Sequence, residues 1–433
     1  MADPQTSDSD SPSPGARPGK ARSTAMVAGG LLLALILTVF SLAPTVPEPA
    51  RPSGRDVAVA HAVIEEVKAA QRQAVPVRLS LDDRELGALS LLAGDASQLG
   101  RVAAHVDEGQ FTVRASFPLP LGLWINTETR VTGVHQGFPT AHSKLGRVPL
   151  PPTASRWLAD FLRWVLLRKG VELPELDELF RHFSVDGESV ATELALPGNT
   201  GLVGNVVRAA GSKVDERLVG QIYCRLTMAQ AEQPDLQLTS LVRAAFVDNG
   251  AEGRREYDPE YNRAALTALA IYVVGEEATA LSAIATAEVS RCPRPGGEIV
   301  LRERADLAKH WALSAALTGL FGEQTAVNLG EWKELHDSLA DGSGFSFVDL
   351  AADRSGVHVA RQALDPQSAE ATARMLASVS EDDLLPATLT QVPEGLSEIE
   401  FADRFGGIDA QRYKRAVDLI DRQLGVRTTA APR

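Results

Sequence analysis

The sequence predicts a single N-terminal transmembrane helix, then an α+β antiparallel-sheet domain, then a mostly α-helical domain. Three observations lead there. One uncharged apolar run, residues 25–43, carries Leu31, Leu32, Leu33, Leu35, Ile36, Leu37, Val39 and Phe40, and at about 1.5 Å per residue it is long enough to cross a bilayer core. Across residues 75–134 apolar and polar side chains alternate, the period of half-buried strands. After Gly201 apolar residues recur at three- and four-residue spacing, the period of helices.

Residues 1–24 are Ser, Pro, Asp and Gly with little apolar content, a composition that builds no core and predicts a disordered tail. Arg17, Lys20 and Arg22 stand before the apolar run with no acid between, whereas the far flank has no basic residue until Arg51. Basic residues stay on the cytoplasmic side. The tail is therefore expected in the cytoplasm, the run in the inner membrane and the bulk in the periplasm. Ser41-Leu42-Ala43 resembles a small-x-small cleavage site, so a cleaved signal peptide is the competing reading; both readings export residues 45–433.

Residues 44–74 read as a Pro/Ala/Arg linker followed by a helix, in which Val57, Val59, Val63, Ile64 and Val67 recur at helical spacing. Residues 75–197 form the expected α+β domain. Strands are expected at 75–81, 102–106, 110–118 and 189–196, with a strand pair or one long strand over 123–134 and short helices at 86–92 and 177–183. Thr153 and Ser155 suit the start of another helix, whose Trp157, Phe161 and Trp164 fall at i, i+4 and i+7. That spacing is usually a core face, so the helix is expected to pack on the sheet. Nearby Arg163, Arg168 and Lys169 leave a membrane-surface helix as the alternative. Residues 201–433 are expected to be mostly helical, with patterns at 203–211, 214–231, 236–249, 258–284, 302–321, 323–340, 346–362, 367–379 and 409–424.

A net charge of −13 over 433 residues argues against nonspecific nucleic-acid binding. Aromatic residues at 5% disfavour a stacking platform for sugars. Cys224 and Cys292 are the two cysteines; outside the cytoplasm they are expected to form one disulfide. Gly-x-Ser-x-Gly, His-Glu-x-x-His, P-loop and dinucleotide motifs are missing.

The chemistry concentrates in residues 306–356. Asp306 and His310 share a helical face, with Lys309 beside them. The next helix carries Glu331, Lys333, Glu334, His336 and Asp337, and the one after it Asp349 and Asp353. If the faces converge, His310 acts as base or ligand with Asp306 as its orienter and Lys309 alongside, while Glu334, Asp337, Asp349 and Asp353 are candidate ligands for a divalent metal. The bland alternative is a buried polar network, with Ser346 and Asp349 as a capping box.

The same stretch resembles the YfiM-type periplasmic lipoproteins over about fifty residues. The shared pattern is Asp306, Lys309 and His310; Lys333, Glu334, Leu335 and Asp337; then Gly342, Gly344, Phe345, Ser346, Asp349, Leu350, Ala352, Asp353 and Gly356. The resemblance implies an envelope location and a helical fold, and no reaction. The chain departs from the family in its size, in Trp311 and its polar turns, and in lacking a lipoprotein cysteine. Residues 75–197, with the anchor and the phrase Gly146-Arg147-Val148-Pro149-Leu150-Pro151 before a helix, are similar to YpmS-like anchored extracytoplasmic domains, which implies a curved sheet wrapped around helices.

Together these features predict a membrane-anchored periplasmic cell-envelope protein. The first expectation is a non-enzymatic binding or assembly factor whose partner is an envelope protein, a lipid or a cell-wall component. The second is a hydrolase acting on an envelope substrate, with or without a divalent metal, through the acid and histidine cluster.

Overall fold

A computed structural model describes residues 38–48, 51–73, 75–96, 100–168, 173–196, 214–232, 234–246, 258–275 and 286–425. The tail 1–24, most of the apolar run and the helix expected over 203–211 lie outside them. Among the described residues no helix is long and apolar enough to cross a membrane. The end of the apolar run is not helical: Phe40–Ser41 form a short strand, β1.

A capping box between Ser53 and Asp56 opens α1 (Gly54–Arg72). There follow β2 (Val77–Asp82), α2 (Asp83–Ala96), β3 (Arg101–Asp107), β4 (Gln110–Pro118), β5 (Trp124–Thr132), β6 (Val134–Gln136), β7 (His142–Leu145), β8 (Val148–Leu150), α3 (Pro152–Arg168), α4 (Leu176–Leu179), β9 (Phe180–Asp186) and β10 (Ser189–Leu194). All pair antiparallel in two sheets. One has the order β3-β4-β5-β7-β8 with β1 also on β5; the other is β2-β10-β9-β6. Alternation turns Val106, Val131, Phe183, Val185 and Val190 into one shared core with Leu86 of α2, and Phe111 meets Phe183 at 5.9 Å between ring centroids.

Two local expectations change and an open one is resolved. Of a strand pair or one long strand over 123–134, the structure has two strands, split at Gly133, that join different sheets. The helix expected over 177–183 ends at Leu179, because Phe183 and Val185 are drawn into the core as strand residues. On α3, Trp157, Phe161 and Trp164 are exposed instead of packed on the sheet.

The helical region comprises α5 (Glu216–Glu232), α6 (Leu238–Phe246), α7 (Pro259–Val274), α8 (Thr286–Arg291), α9 (Ala305–Phe321), α10 (Glu323–Asp337), α11 (Phe347–Leu364), α12 (Ala369–Leu376), α13 (Glu381–Leu384), α14 (Glu398–Phe405) and α15 (Gln411–Gln423). The short helices α8 and α13 escape a periodicity reading because they offer fewer than two turns to repeat; α14 also falls outside the expected patterns. Helix α7 is buried on nearly every side, as its unbroken apolar composition requires. Cys224 on α5 is bonded to Cys292, with Cα atoms 5.3 Å apart; closing that loop stabilises by about 4 kcal/mol on the chain-entropy view. Helix α1 joins both regions: Val57 belongs to the helical core, while Val63 packs with Val77 and Leu79 of the sheet.

Candidate acid–imidazole centre

Three helices build the site, and close backbone approach sets their spacing. A Cβ on Gly356 of α11 would stand 2.2 Å from the Trp311 carbonyl of α9, so only glycine lets the two helices come this near. Asp353, one turn earlier, is thereby pressed onto His310 and Ser314 of α9. His310 Nδ1 lies 3.0 Å from Asp353 Oδ1, and the Ser314 hydroxyl donates to the same oxygen at 2.6 Å. The other side of the imidazole faces two more carboxylates: Nε2 is 3.5 Å from Asp349 Oδ2 and 3.9 Å from Glu334 Oε1.

Each acid has a second duty. Glu334 Oε2 accepts from the Ser346 amide at 2.8 Å, which ties α10 to the start of α11. The Ser346 hydroxyl accepts from the Asp349 amide at 3.0 Å, capping α11. The Asp349 carboxylate faces His310 and an Arg304 nitrogen 3.2 Å away. Lys333 Nζ bridges Glu334 (2.9 Å), Asp337 (2.8 Å) and Asp349 (3.8 Å).

His310, Asp353, Asp349 and Glu334 therefore converge. Asp337 stays at the rim on Lys333. Asp306, expected to orient His310, is forked to Arg304 at 3.1 and 2.6 Å; Asp353 stands in the orienting position. Lys309 and Asp306 line a cavity of about 290 Å³ that opens beside the centre, together with His310, Ser314, Lys333 and Asp353; Val274, Leu313, Leu317 and Leu329 give it apolar walls. Asp353 Oδ2 is buried and has no hydrogen-bond partner among the described residues. Gly330 keeps that oxygen uncrowded, since a Cβ there would approach it to 2.7 Å. One donor atom each from His310, Glu334 and Asp353 lie within 4.8 Å of one another, a spacing a single cation can bridge.

Electrostatics follow burial and neighbours. Burial opposes charge on His310, but the Asp353 carboxylate outweighs it and raises the imidazole to about 9. Burial lifts Glu334 to about 7 against the pull of Lys333. Burial also raises Asp349, with His310 and Lys333 opposing. Asp306 is held low: burial works against its charge, and the Arg304 guanidinium overcomes it.

Ser314, Gly330, Arg304 and Glu394, which pairs with Arg304 at 2.7 Å, were not apparent from sequence. Ser314 had a signal, since it lies one helical turn after His310 on the same face. The histidines His135 and His142 fall in different sheets. Comparison with protein-family models, with curated proteins and with solved structures finds no match for the chain.

Proposed function

We propose that this chain is a membrane-tethered extracytoplasmic binding protein whose helical domain holds a divalent cation through His310, Glu334 and Asp353. The unpartnered, buried Asp353 Oδ2 carries the reading. A carboxylate oxygen buried from solvent normally has a donor or a metal. The acids here, Asp306, Glu334, Asp337, Asp349, Asp353 and Glu394, outnumber the cations they pair with, His310, Lys333 and Arg304. One imidazole with two carboxylates suits zinc, manganese or ferrous iron better than calcium.

The tether rests on the apolar run and the basic flank. With Phe40 in a strand and the Thr38 carbonyl bonded to the sheet domain, the uncharged stretch before the first sheet contact is Ser23 to Leu37, 15 residues, so a span of the about 17–25 residues that cross a bilayer has to include Thr38 and Val39 at its edge. The Cys224–Cys292 disulfide favours an oxidising compartment. The likeness of residues 306–356 to YfiM-type envelope proteins points the same way, to the periplasmic face of the inner membrane.

Isothermal titration of zinc and manganese into the full chain in detergent tests the cation site. About one equivalent should bind, and His310→Ala should lower affinity by more than about 100-fold. Absence of binding by either ion, or equal binding by the variant, overturns it. A reporter fused after Arg433 tests the tether: activity confined to the cytoplasm removes the periplasmic assignment.

A second reading is favoured by the cavity. Its apolar walls and its lining of both charge signs leave room for a small substrate directly beside the donor set. A bound cation there would supply Lewis acidity to a hydrolysis, with His310, Glu334 and Asp353 holding it at the cavity wall. Hydrolysis of para-nitrophenyl esters or phosphates by the metal-loaded chain, at equal rates with and without His310→Ala, removes the hydrolase reading.

A further inference from the structure

Helix α3 shows an apolar face that nothing among the described residues covers. Trp157 is 68% exposed and Trp164 49%, with Phe161 between them. The three rings stack in a row, centroids 5.8 and 5.7 Å apart, and the Arg168 guanidinium lies 5.0 Å over the Trp164 ring. The helix is held from its other flank: Arg156 binds both Asp177 oxygens, at 3.0 and 2.9 Å. Its charges are Arg156, Arg163 and Arg168 against the single acid Asp160.

The apolar N-terminal run is fastened to the same sheet. The Thr38 carbonyl accepts from the Arg147 amide at 2.8 Å in the β7–β8 turn. Phe40 and Ser41 pair with Ile125 and Trp124, and the Thr45 amide reaches Ser116 at 3.1 Å. The β4–β5 and β7–β8 turns lie at one end of this sheet, by its antiparallel register. That end also displays Leu121, 96% exposed, and Leu42, 84% exposed. From Gly146 at that end to Leu150 is four residues of extended chain, about 13 Å, and α3 starts two residues later. No long linker separates the run from the sheet domain.

We infer that α3 is a membrane-surface helix whose Trp157–Phe161–Trp164 face enters the headgroup region of an anionic bilayer. The inference rests on the tether proposed above, because the locked run brings the sheet domain to the lipid. Trp rings favour this depth, and Arg168, beside the Trp164 ring, complements anionic headgroups.

The test is fluorescence of the full chain reconstituted in vesicles of phosphatidylethanolamine and phosphatidylglycerol, with and without brominated acyl chains. Bromine should quench part of the tryptophan emission, and the double variant W157F/W164F should lose at least half of that quenching while keeping its far-ultraviolet circular dichroism. Quenching unchanged by the double variant overturns the inference and leaves a second copy or the run itself as the cover of this face. Alkaline flotation separates the two ideas. A chain that floats without Trp157 and Trp164 quenching keeps the tether and loses the surface helix. A chain that shows the quenching but is stripped by alkali keeps the surface helix and loses the tether.

Discussion

Helices α10 and α11 carry two buried charge clusters, and the two are built on opposite terms. In the first, Glu331 accepts from the Tyr413 hydroxyl and from Arg51, each at 2.8 Å, and Arg354 grips Asp421 with two bonds of 2.5 Å. Fixed donors meet the carboxylates, and the cluster joins the linker, α11 and α15 into one body. In the second, three residues on from Glu331 and one residue before Arg354, Glu334 and Asp353 surround His310 with a carboxylate oxygen left over and a cavity beside it. Closed pairing of buried charge holds elements in register; a buried carboxylate with spare valence is a place for something to bind.

The sharpest way to break that contrast is to open the closed cluster. Arg354→Met leaves Asp421 buried and uncompensated, and should cost about 3–5 kcal/mol in denaturant titration while leaving cation affinity unchanged. A loss of affinity equal to that of His310→Ala would mean the clusters are one unit.

Next in size is pH. In the cation-free protein His310 titrates near 9 against an unfolded value near 6.5, so the native state binds that proton more tightly. Its stabilisation is full below about 6.5 and is lost as pH rises through about 9. Glu334, raised to about 7 from 4.5, acts in the same direction over the lower window. Thermal stability should therefore fall as pH rises from about 5 to about 9, by a few kcal/mol at most. A double His310→Gln, Glu334→Gln variant should flatten the slope; an undiminished slope would place its origin elsewhere. Saturating zinc should reverse part of the slope, since the cation competes with those protons.

How far the sequence foretold this depends on what each signal encodes. Alternation marked the strands because a sheet with one covered face needs period two. It could not say that Gly133 moves the chain between sheets, a decision made by packing. One-face spacing put Asp306 and His310, Glu334 and Asp337, and Asp349 and Asp353 on three helices, and convergence of the faces was readable as a condition. Which members turn inward was not: His310 and Glu334 alone of the first two pairs, but both Asp349 and Asp353 of the third. Arg304 draws Asp306 away and Lys333 draws Asp337 to the rim, and both depend on contacts between elements. The aromatic stripe of α3 shows the same limit from the other side. Periodicity reports that a helix has an apolar face, and says nothing about what covers it.

Gly330 measures how much room the open cluster needs. A Cβ there would press on Asp353 Oδ2 at 2.7 Å, so Gly330→Ala should destabilise by about 1–3 kcal/mol as α10 and α11 part, and should weaken zinc binding in the same titration. A variant that keeps full zinc affinity would show that Asp353 Oδ2 is not a ligand.

Lys333 gives the smallest and most discriminating effect. Its ammonium already stands 2.9 Å from Glu334 Oε1, where it neutralises the carboxylate that a cation would use. Burial opposes its charge, yet the Glu334 carboxylate holds its pKa above the ordinary value, so it competes as a fixed cation at every accessible pH. Lys333→Gln removes the competitor and keeps most of the side-chain volume. If the centre binds a divalent cation, affinity should rise about tenfold, near 1.4 kcal/mol, while stability without the cation falls because Glu334 and Asp349 lose their partner. If the centre is only a closed network of the first kind, stability falls and no cation binds. The two measurements move in opposite directions under one reading and not under the other, and a structural role alone cannot produce the gain.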